Sequence, residues 1–132
     1  MSLLVGEKHT FKIDLKYFLK DQGITILTKE GQVPEGTQVK SETFTFKRPN
    51  WSEIQKMMSA CVICDASTGR AIMDPYKFMD IKVKTLLRDW TLKDEEGNKM
   101  PLVEDTLSNM EPSVVQYLFD EMNEVLEPTN AS

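Results

Sequence analysis

The hydrophobic pattern of the chain changes once, near Pro49, and this change constrains the fold more than any other feature. Before Pro49, apolar residues such as Phe11, Ile13 and Leu15 alternate with polar ones, which is typical of half-buried strands. After Pro49, apolar residues recur every three or four positions, which is typical of helices with one buried face. The sequence therefore predicts the α+β class, with a small N-terminal antiparallel β-sheet followed by a bundle of about four α-helices.

The β-rich block, residues 1–48, contains three predicted strands. They cover residues 11–16, 24–28 and 39–47. In the third strand Phe44 and Phe46 share one face, while Thr43, Thr45 and Lys47 share the other. Three strands can form a small antiparallel meander, which must pack on helices to be stable.

The helical block, residues 50–127, contains four predicted helices within the same single domain. Asn50 with Glu53 forms a near capping box at the first helix, and proline opens the second and the last. The helices are predicted from Trp51 to about Asp65, from Asp74 to about Trp90, around Leu107, and from Pro112 to Leu126. Their inner faces are predicted to carry Trp51, Ile54, Met57, Met58, Cys61 and Val62; Met79, Val83, Leu86, Leu87 and Trp90; Val103, Leu107 and Met110; and Val115, Leu118, Phe119, Met122 and Leu126. Residues 128–132 are predicted to form a flexible tail.

The segment from Leu86 to Pro101 connects the second helix to the last two. Trp90 is predicted to be buried at this junction, and the acidic stretch from Asp94 to Asn98 is predicted to turn the chain. Gly97 can adopt the left-handed backbone of a tight turn, and Asp94 can hydrogen-bond its own backbone. We therefore expect a structural turn here and no calcium site.

The charge of the chain is uneven. The net charge is −5, and from Glu104 onward there are seven acidic residues and no basic one. Such a surface repels phosphate backbones, so we expect no nucleic-acid partner, and it suits either solvation or a basic protein surface. No apolar run approaches the length of a membrane span, and the first residues lack a signal-peptide core, so we expect a cytosolic protein without a membrane partner.

The residues that most often carry chemistry do not form a recognisable site. Cys61 and Cys64 have the spacing of zinc ligands, but only His9 is available to join them, so both cysteines are predicted to be small core residues. No glycine-rich phosphate loop follows a strand. The acidic side chains of the last helix fall mostly opposite its apolar stripe, which favours solvation over acid–base catalysis. We therefore expect no cofactor, no metal and no enzymatic activity.

Methionine is over-represented, at 8 of 132 residues. Flexible thioethers fill irregular cores, but they also line surfaces that accept different partners. If methionines such as Met57, Met58 and Met79 border an exposed groove, that groove would suit a helical or extended peptide.

Two motifs resemble a known family. The first is Phe46-Lys47-Arg48-Pro49 followed by Trp51, and the second is Leu87-x-x-Trp90-x-Leu92-x-Asp94-x-x-Gly97-x-x-x-Pro101 followed by the helix from Pro112. Their order, over roughly residues 44–126, resembles the tail assembly chaperones of long-tailed bacteriophages.

The resemblance implies a non-enzymatic assembly factor of the host cytoplasm. Such proteins bind the tape measure protein and tail tube subunits and keep them soluble until the tube polymerises. The candidate fold-defining or partner-binding residues are Trp51, Met57, Met58, Trp90, Leu92, Asp94, Gly97, Phe119 and Met122. Two alternatives stay open: a structural virion component of the tail, baseplate hub or neck, and an unrelated cytosolic interaction domain. Self-association and neighbouring virion proteins as partners also stay open.

Overall fold

The computed structural model describes residues 3–20, 23–26 and 36–127, and within them it contains six strands and four helices. The strands are β1 (Thr10–Lys20), β2 (Gly23–Ile26), β3 (Lys40–Lys47), β4 (Val62–Cys64), β5 (Ala71–Met73) and β6 (Leu87–Trp90). The helices are α1 (Trp51–Ala60), α2 (Pro75–Leu86), α3 (Glu104–Ser108) and α4 (Pro112–Leu126). A mixed α+β fold with an antiparallel sheet and helices is confirmed. However, three strands lie among the helices, inside the block that the sequence predicts to be helical. The predicted flexible tail, 128–132, lies outside the described residues.

The main sheet has the strand order β2-β1-β3-β6, and each neighbouring pair is antiparallel. The predicted meander is therefore wrong, because β3 lies beside β1 and not beside β2. β1 is the central partner of both strands: one edge forms eight residue pairs with β3, and the last four residues of its other edge pair with β2. Leu27 and Thr28, which the sequence assigns to the second strand, lie outside the described residues.

The fourth strand of this sheet replaces the predicted last turn of the second helix. Helix α2 ends at Leu86, and the next four residues pair with β3 through an irregular register. Because of this bulge, Arg88 and Asp89 are both exposed, while Leu87 and Trp90 are both buried. Two apolar residues three positions apart thus share one face of a strand, a spacing that the sequence pattern assigns to a helix.

Helix α1 begins as predicted but ends early. The side chain of Asn50 accepts the backbone N–H of Glu53, whose carboxylate accepts the backbone N–H of Asn50, so the capping box is confirmed. The helix ends at Ala60 and not near Asp65, because the chain turns back and β4 pairs with β5. The connecting turn is held by the Asp65 side chain and by Gly69 at φ +70°.

The core lies between the main sheet and the helices. The buried members of this cluster are Ile13, Leu15, Phe44, Phe46, Met57, Val83, Leu86, Leu87, Trp90, Val114, Leu118 and Met122. The predicted buried positions of β1, β3, α2 and α4 are largely confirmed by this set, with Val114 added to the α4 stripe and Val115 half-buried. Transfer of this apolar surface from water supplies the main driving force for folding.

Four residues predicted to face inward are exposed instead. Trp51 is 74% exposed and occupies the first helical position of α1. Met58 is partly exposed beside a surface groove, Val62 belongs to β4, and Val103 precedes α3. The prediction that these four face inward is therefore wrong.

Trp90 occupies the predicted junction between α2 and the last two helices, and its burial is confirmed. Its indole N–H donates to the carbonyl oxygen of Met100 at 2.8 Å, and its ring meets Phe44 edge to face at a centroid distance of 6.4 Å. The backbone N–H of Met100 donates to the carbonyl of Leu92. The loop after β6 is thereby fastened at its base by backbone and indole hydrogen bonds.

Candidate functional site

A surface groove of about 360 Å³ lies where α1, α2, β5 and the end of α4 meet. We call it the methionine groove. It is lined by Val5, Arg48, Pro49, Ile54, Met57, Met58, Met73, Phe78, Lys82, Leu126 and Glu127. Most of these side chains are apolar, and the volume is in the lower part of the range of about 300–1,000 Å³ that is usual for ligand pockets. The groove can therefore accept a few apolar side chains of a partner.

Three methionines border this groove, and this agrees with one of the two roles that the sequence suggests for methionine. Met57 is a buried residue of the groove lining, whereas Met58 and Met73 are 43% and 40% exposed. Unbranched thioether side chains can change rotamer at low energy, so such a wall can adapt to differently shaped ligands. Met79 does not line the groove, and Met122 is fully buried in the core, where it fills space.

The hairpin of β4 and β5 extends the apolar surface from the groove, with Met73 belonging to both. We call it the apolar hairpin, residues 62–64 and 71–73. All six residues are exposed, and Val62, Ile63, Ile72 and Met73 each expose between 40% and 48% of their surface. Pairing of Val62 with Met73 and of Ile63 with Ile72 places apolar side chains on both faces of the hairpin. A contiguous exposed apolar surface of this kind usually marks a site of interaction with another molecule.

The groove also contains a buried cation. Lys82 is 6% exposed, and its ammonium group donates to the side-chain oxygen of Asn123 at 2.8 Å. The same group lies 5.3 Å from the ring centroid of Phe78 and 5.7 Å from that of Phe119. Burial lowers the pKa of Lys82, because removal of water disfavours the ammonium form, and the carboxylate of Glu127 partly opposes this effect. The positive charge is thus held mainly by neutral partners.

The lining of the groove has a net positive charge, whereas the whole chain has a net negative charge. Arg48 and Lys82 line the groove together with one acid, Glu127, although the whole chain carries a net charge of −5. The guanidinium of Arg48 lies 5.9 Å from the ring centroid of Phe11. The groove is therefore an apolar site with a net positive lining on an acidic protein.

The candidate residues from the sequence fall into four groups in the structure, of which the fourth, Asp94 and Gly97, belongs to a turn. Met57 and Met58 line the groove, and Phe119 contacts it indirectly through its ring contacts with Phe78 and Lys82. Trp90 and Met122 are buried in the core, and Leu92 packs against it. Trp51 is exposed and is not among the residues that line the groove.

Asp94 and Gly97 form the tip of a tight turn. One carboxylate oxygen of Asp94 accepts the backbone N–H groups of Glu96 and Asn98, each at 2.9 Å. Gly97 has φ +85°, a conformation that residues with a side chain rarely adopt. Both residues therefore shape the loop after β6, as the sequence predicts for a structural turn.

The cysteines and the histidine are separated in space and environment. Cys61 is buried, and its thiol donates to the carbonyl of Met57 at 3.0 Å, while Cys64 is exposed in β4. The prediction that both are core residues is therefore wrong for Cys64, because the chain leaves α1 before reaching it. His9 accepts the backbone N–H of Gly6 at 2.7 Å in a local turn. Within the part of the chain that the structure describes, no three His, Cys, Asp or Glu side chains cluster as metal ligands would.

Sequence reasoning missed the apolar hairpin and the position of Lys82. The hairpin has a signal in retrospect: two short apolar runs, each containing isoleucine, flank Asp65-Ala66-Ser67-Thr68-Gly69-Arg70, a stretch rich in turn-forming residues. Lys82 has no such signal, because its place beside Val83 in α2 is compatible with an exposed face as well as a buried one. Phe78 lies one turn earlier on α2, and only the packing of α2 against α4 adds the ring of Phe119 and buries the amine.

None of the described helices combines the length and apolar character that a bilayer crossing requires. Comparison of the chain with protein-family models, with curated protein sequences and with solved structures finds no match.

Proposed function

We propose that this chain is a non-enzymatic binding protein that covers apolar segments of other proteins. The observation that carries the proposal is the continuity of the methionine groove with the apolar hairpin, joined at Met73. A stable fold does not require exposed Val62, Ile63 and Ile72, because a separate two-stranded hairpin adds little stability. Burial of these side chains against a partner supplies a favourable free energy of association.

Within this class we propose the role of a bacteriophage tail assembly chaperone. Its partners are the tape measure protein and tail tube subunits, which it keeps soluble in the host cytoplasm. The two motifs around Trp51 and Trp90 support this role by resemblance, and adaptable apolar surface on an acidic chain is compatible with it.

Co-expression with the tape measure protein encoded by a neighbouring open reading frame tests this function. We expect the wild-type chain to raise the soluble fraction of the tape measure protein, and Ile72→Lys in the apolar hairpin to reduce that effect strongly. Val39→Lys is the matched control, because Val39 is similarly exposed, at 41% against 45%, and lies outside the hairpin and the groove. Equal solubility of the partner with both variants, or without the chain, contradicts the proposal.

The alternative, a structural virion component, is favoured by a different observation. On its β2 side, β1 has a described strand partner only from Tyr17 to Lys20, although the strand begins at Thr10. The hydroxyl of Tyr117 already donates to the carbonyl of Asp14 at 3.0 Å, so a strand of a neighbouring subunit can add only to the rest of this edge. Quantification of this protein in purified particles separates the two roles: a fixed stoichiometric amount favours the virion component, and absence favours the chaperone.

A further inference from the structure

Among the described residues, one buried lysine, Lys82, lines the methionine groove, and its ammonium group has fewer described hydrogen-bond acceptors than it can use. Lys82 can donate three hydrogen bonds, and the structure provides one acceptor, Asn123, besides the two aromatic rings. Among the ion pairs between described residues, none joins Lys82 to a carboxylate, although Glu127 lines the same groove. Among the described residues, the direct partners of the amine are therefore all neutral.

The other buried lysine shows how this fold satisfies an internal ammonium. Lys47 is 1% exposed, and it is paired with the carboxylate of Glu53 and with the carbonyl of Arg48. Burial of a charge is unfavourable unless an opposite charge and hydrogen bonds compensate it. Lys47 has that compensation from described residues, whereas the described hydrogen-bond and ring partners of Lys82 are all neutral and the carboxylate of Glu127 acts on it without forming an ion pair. A ligand carboxylate can supply the ion pair that Lys82 lacks among the described residues.

We propose that the methionine groove binds an apolar peptide segment that carries one carboxylate, and that Lys82 is the residue that recognises this carboxylate. The groove supplies apolar contacts through Met57, Met58 and Met73, and its net positive lining complements an anionic group. Arg48 lies at the same groove and adds to this attraction.

Glu127 is the carboxylate of the protein itself that competes with a ligand carboxylate for the charge of Lys82. Its carboxylate is close enough to stabilise the charged form of Lys82, but it makes no ion pair with that residue among the described contacts. A ligand carboxylate that reaches the ammonium must approach Glu127, and the two like charges repel each other. Removal of the Glu127 charge should therefore strengthen binding of an acidic ligand more than binding of a neutral one.

The inference rests on the proposed binding of peptide segments in this groove, and a matched peptide pair separates the two. The probes are two fluorescein-labelled amphipathic peptides that share a leucine stripe and differ at one flanking position, glutamate or glutamine. Fluorescence anisotropy measures both affinities. We expect the wild-type protein to bind the glutamate peptide about tenfold more tightly, the effect of one hydrogen bond between charged groups in a partly buried site.

Three variants locate the source of the discrimination. Lys82→Met preserves the apolar stem and should abolish the preference, because it weakens binding of the glutamate peptide much more than binding of the glutamine peptide. Glu127→Gln should increase the preference by about twofold to threefold, the effect of one screened charge near the surface. Lys84→Met is the control, because Lys84 lies on the same helix, pairs with Asp80 and Glu104, and does not line the groove.

Each outcome distinguishes the inference from the function on which it rests. Equal binding of the two peptides by the wild type, or a preference that survives in Lys82→Met, overturns the recognition role of Lys82 and leaves groove binding intact. Failure of both peptides to bind overturns the groove function together with the inference. Loss of binding to both peptides in Lys82→Met assigns that residue a structural role only, which also overturns the proposal. Thermal melting of Lys82→Met and Glu127→Gln establishes that both variants are folded.

Discussion

Replacement of Glu53 should destabilise this protein strongly, although its side chain is partly exposed. The carboxylate of Glu53 accepts the ammonium of Lys47 at 2.5 Å and the backbone N–H of Asn50 at 3.1 Å. The side chain of Lys47 is 1% exposed, and that of Glu53 is 24% exposed. Glu53→Ala thus leaves a buried ammonium with one described acceptor, the carbonyl of Arg48, at 3.0 Å.

The magnitude follows from the two interactions that are lost. Removal of one partner of a buried ion pair costs about 3–5 kcal/mol, and half of a capping box adds roughly 0.5–1 kcal/mol. Since water reaches Glu53, the lower end applies, and we expect a loss of about 3 kcal/mol. Glu53→Gln keeps an oxygen acceptor but loses the charge, so about 1–2 kcal/mol is expected. In the double variant Lys47→Met/Glu53→Gln no buried charge remains, and most of the stability should return.

Urea unfolding followed by circular dichroism measures these differences, provided that the slope of the free energy against urea concentration does not change. The hydrogen bond from Lys47 is the main cause that lowers the pKa of Glu53. A carboxylate with a lowered folded-state pKa contributes its stability above its unfolded-state pKa and loses it as the pH falls through the folded-state pKa. The difference between wild type and Glu53→Gln should therefore be full at neutral pH and shrink on acidification below the ordinary range of a glutamate.

Two results would refute this reasoning. A loss below about 1 kcal/mol in Glu53→Ala would mean that water already solvates Lys47. A double variant as unstable as Glu53→Gln alone would mean that the buried charge is not what the carboxylate compensates.

Further predictions concern the core, the turn and the thiols. Trp90→Ala should lower the free energy of unfolding by roughly 3–5 kcal/mol, because the side chain is 2% exposed and donates to Met100; a near-wild-type urea midpoint would show that the indole is not part of the core. Gly97→Ala should lose about 1–2 kcal/mol in the same assay, because φ is +85° and an added Cβ meets no atom within 4 Å, so only backbone strain acts; an unchanged midpoint would contradict this account. A thiol reagent should modify Cys64 rapidly and Cys61 only after unfolding, because Cys61 is buried and burial raises the pKa of its thiol; a Cys64→Ser variant with one fast-reacting thiol would contradict the assignment.

The strands of the sheet that alternate regularly could be predicted from sequence, and the irregular one could not. In β1 and β3 the two-residue period agrees with the observed burial of Ile13, Leu15, Phe44 and Phe46. The bulge in the pairing of β6 changes that period locally, so the pattern of Leu87 and the residues after it imitates a helix. The pattern of neighbouring residues in the sequence cannot reveal the bulge, because the bulge depends on pairing with a strand more than 40 positions earlier.

The candidate site was only partly predictable for a related reason. Apolar spacing continues from α1 into Val62, so the helical pattern extends past the point where the chain turns into the hairpin. Methionine content indicates a groove without locating it, and only tertiary packing brings Met73 beside Met57 and Met58. The burial of Lys47 and Lys82 is likewise a tertiary effect, since charged residues are expected at the surface unless a partner is known.

The pairing of β3 with β6 has a consequence for how the protein is synthesised. A ribosome releases residues 40–47 well before residues 87–90, so for that interval one side of β3 has unsatisfied backbone groups and Phe44 lacks its indole neighbour. Another nascent chain at the same stage, on an adjacent ribosome of the same message, presents an identical edge. Two such chains can exchange their β6 segments, and the product would be an intertwined dimer whose yield rises with the density of ribosomes on the transcript.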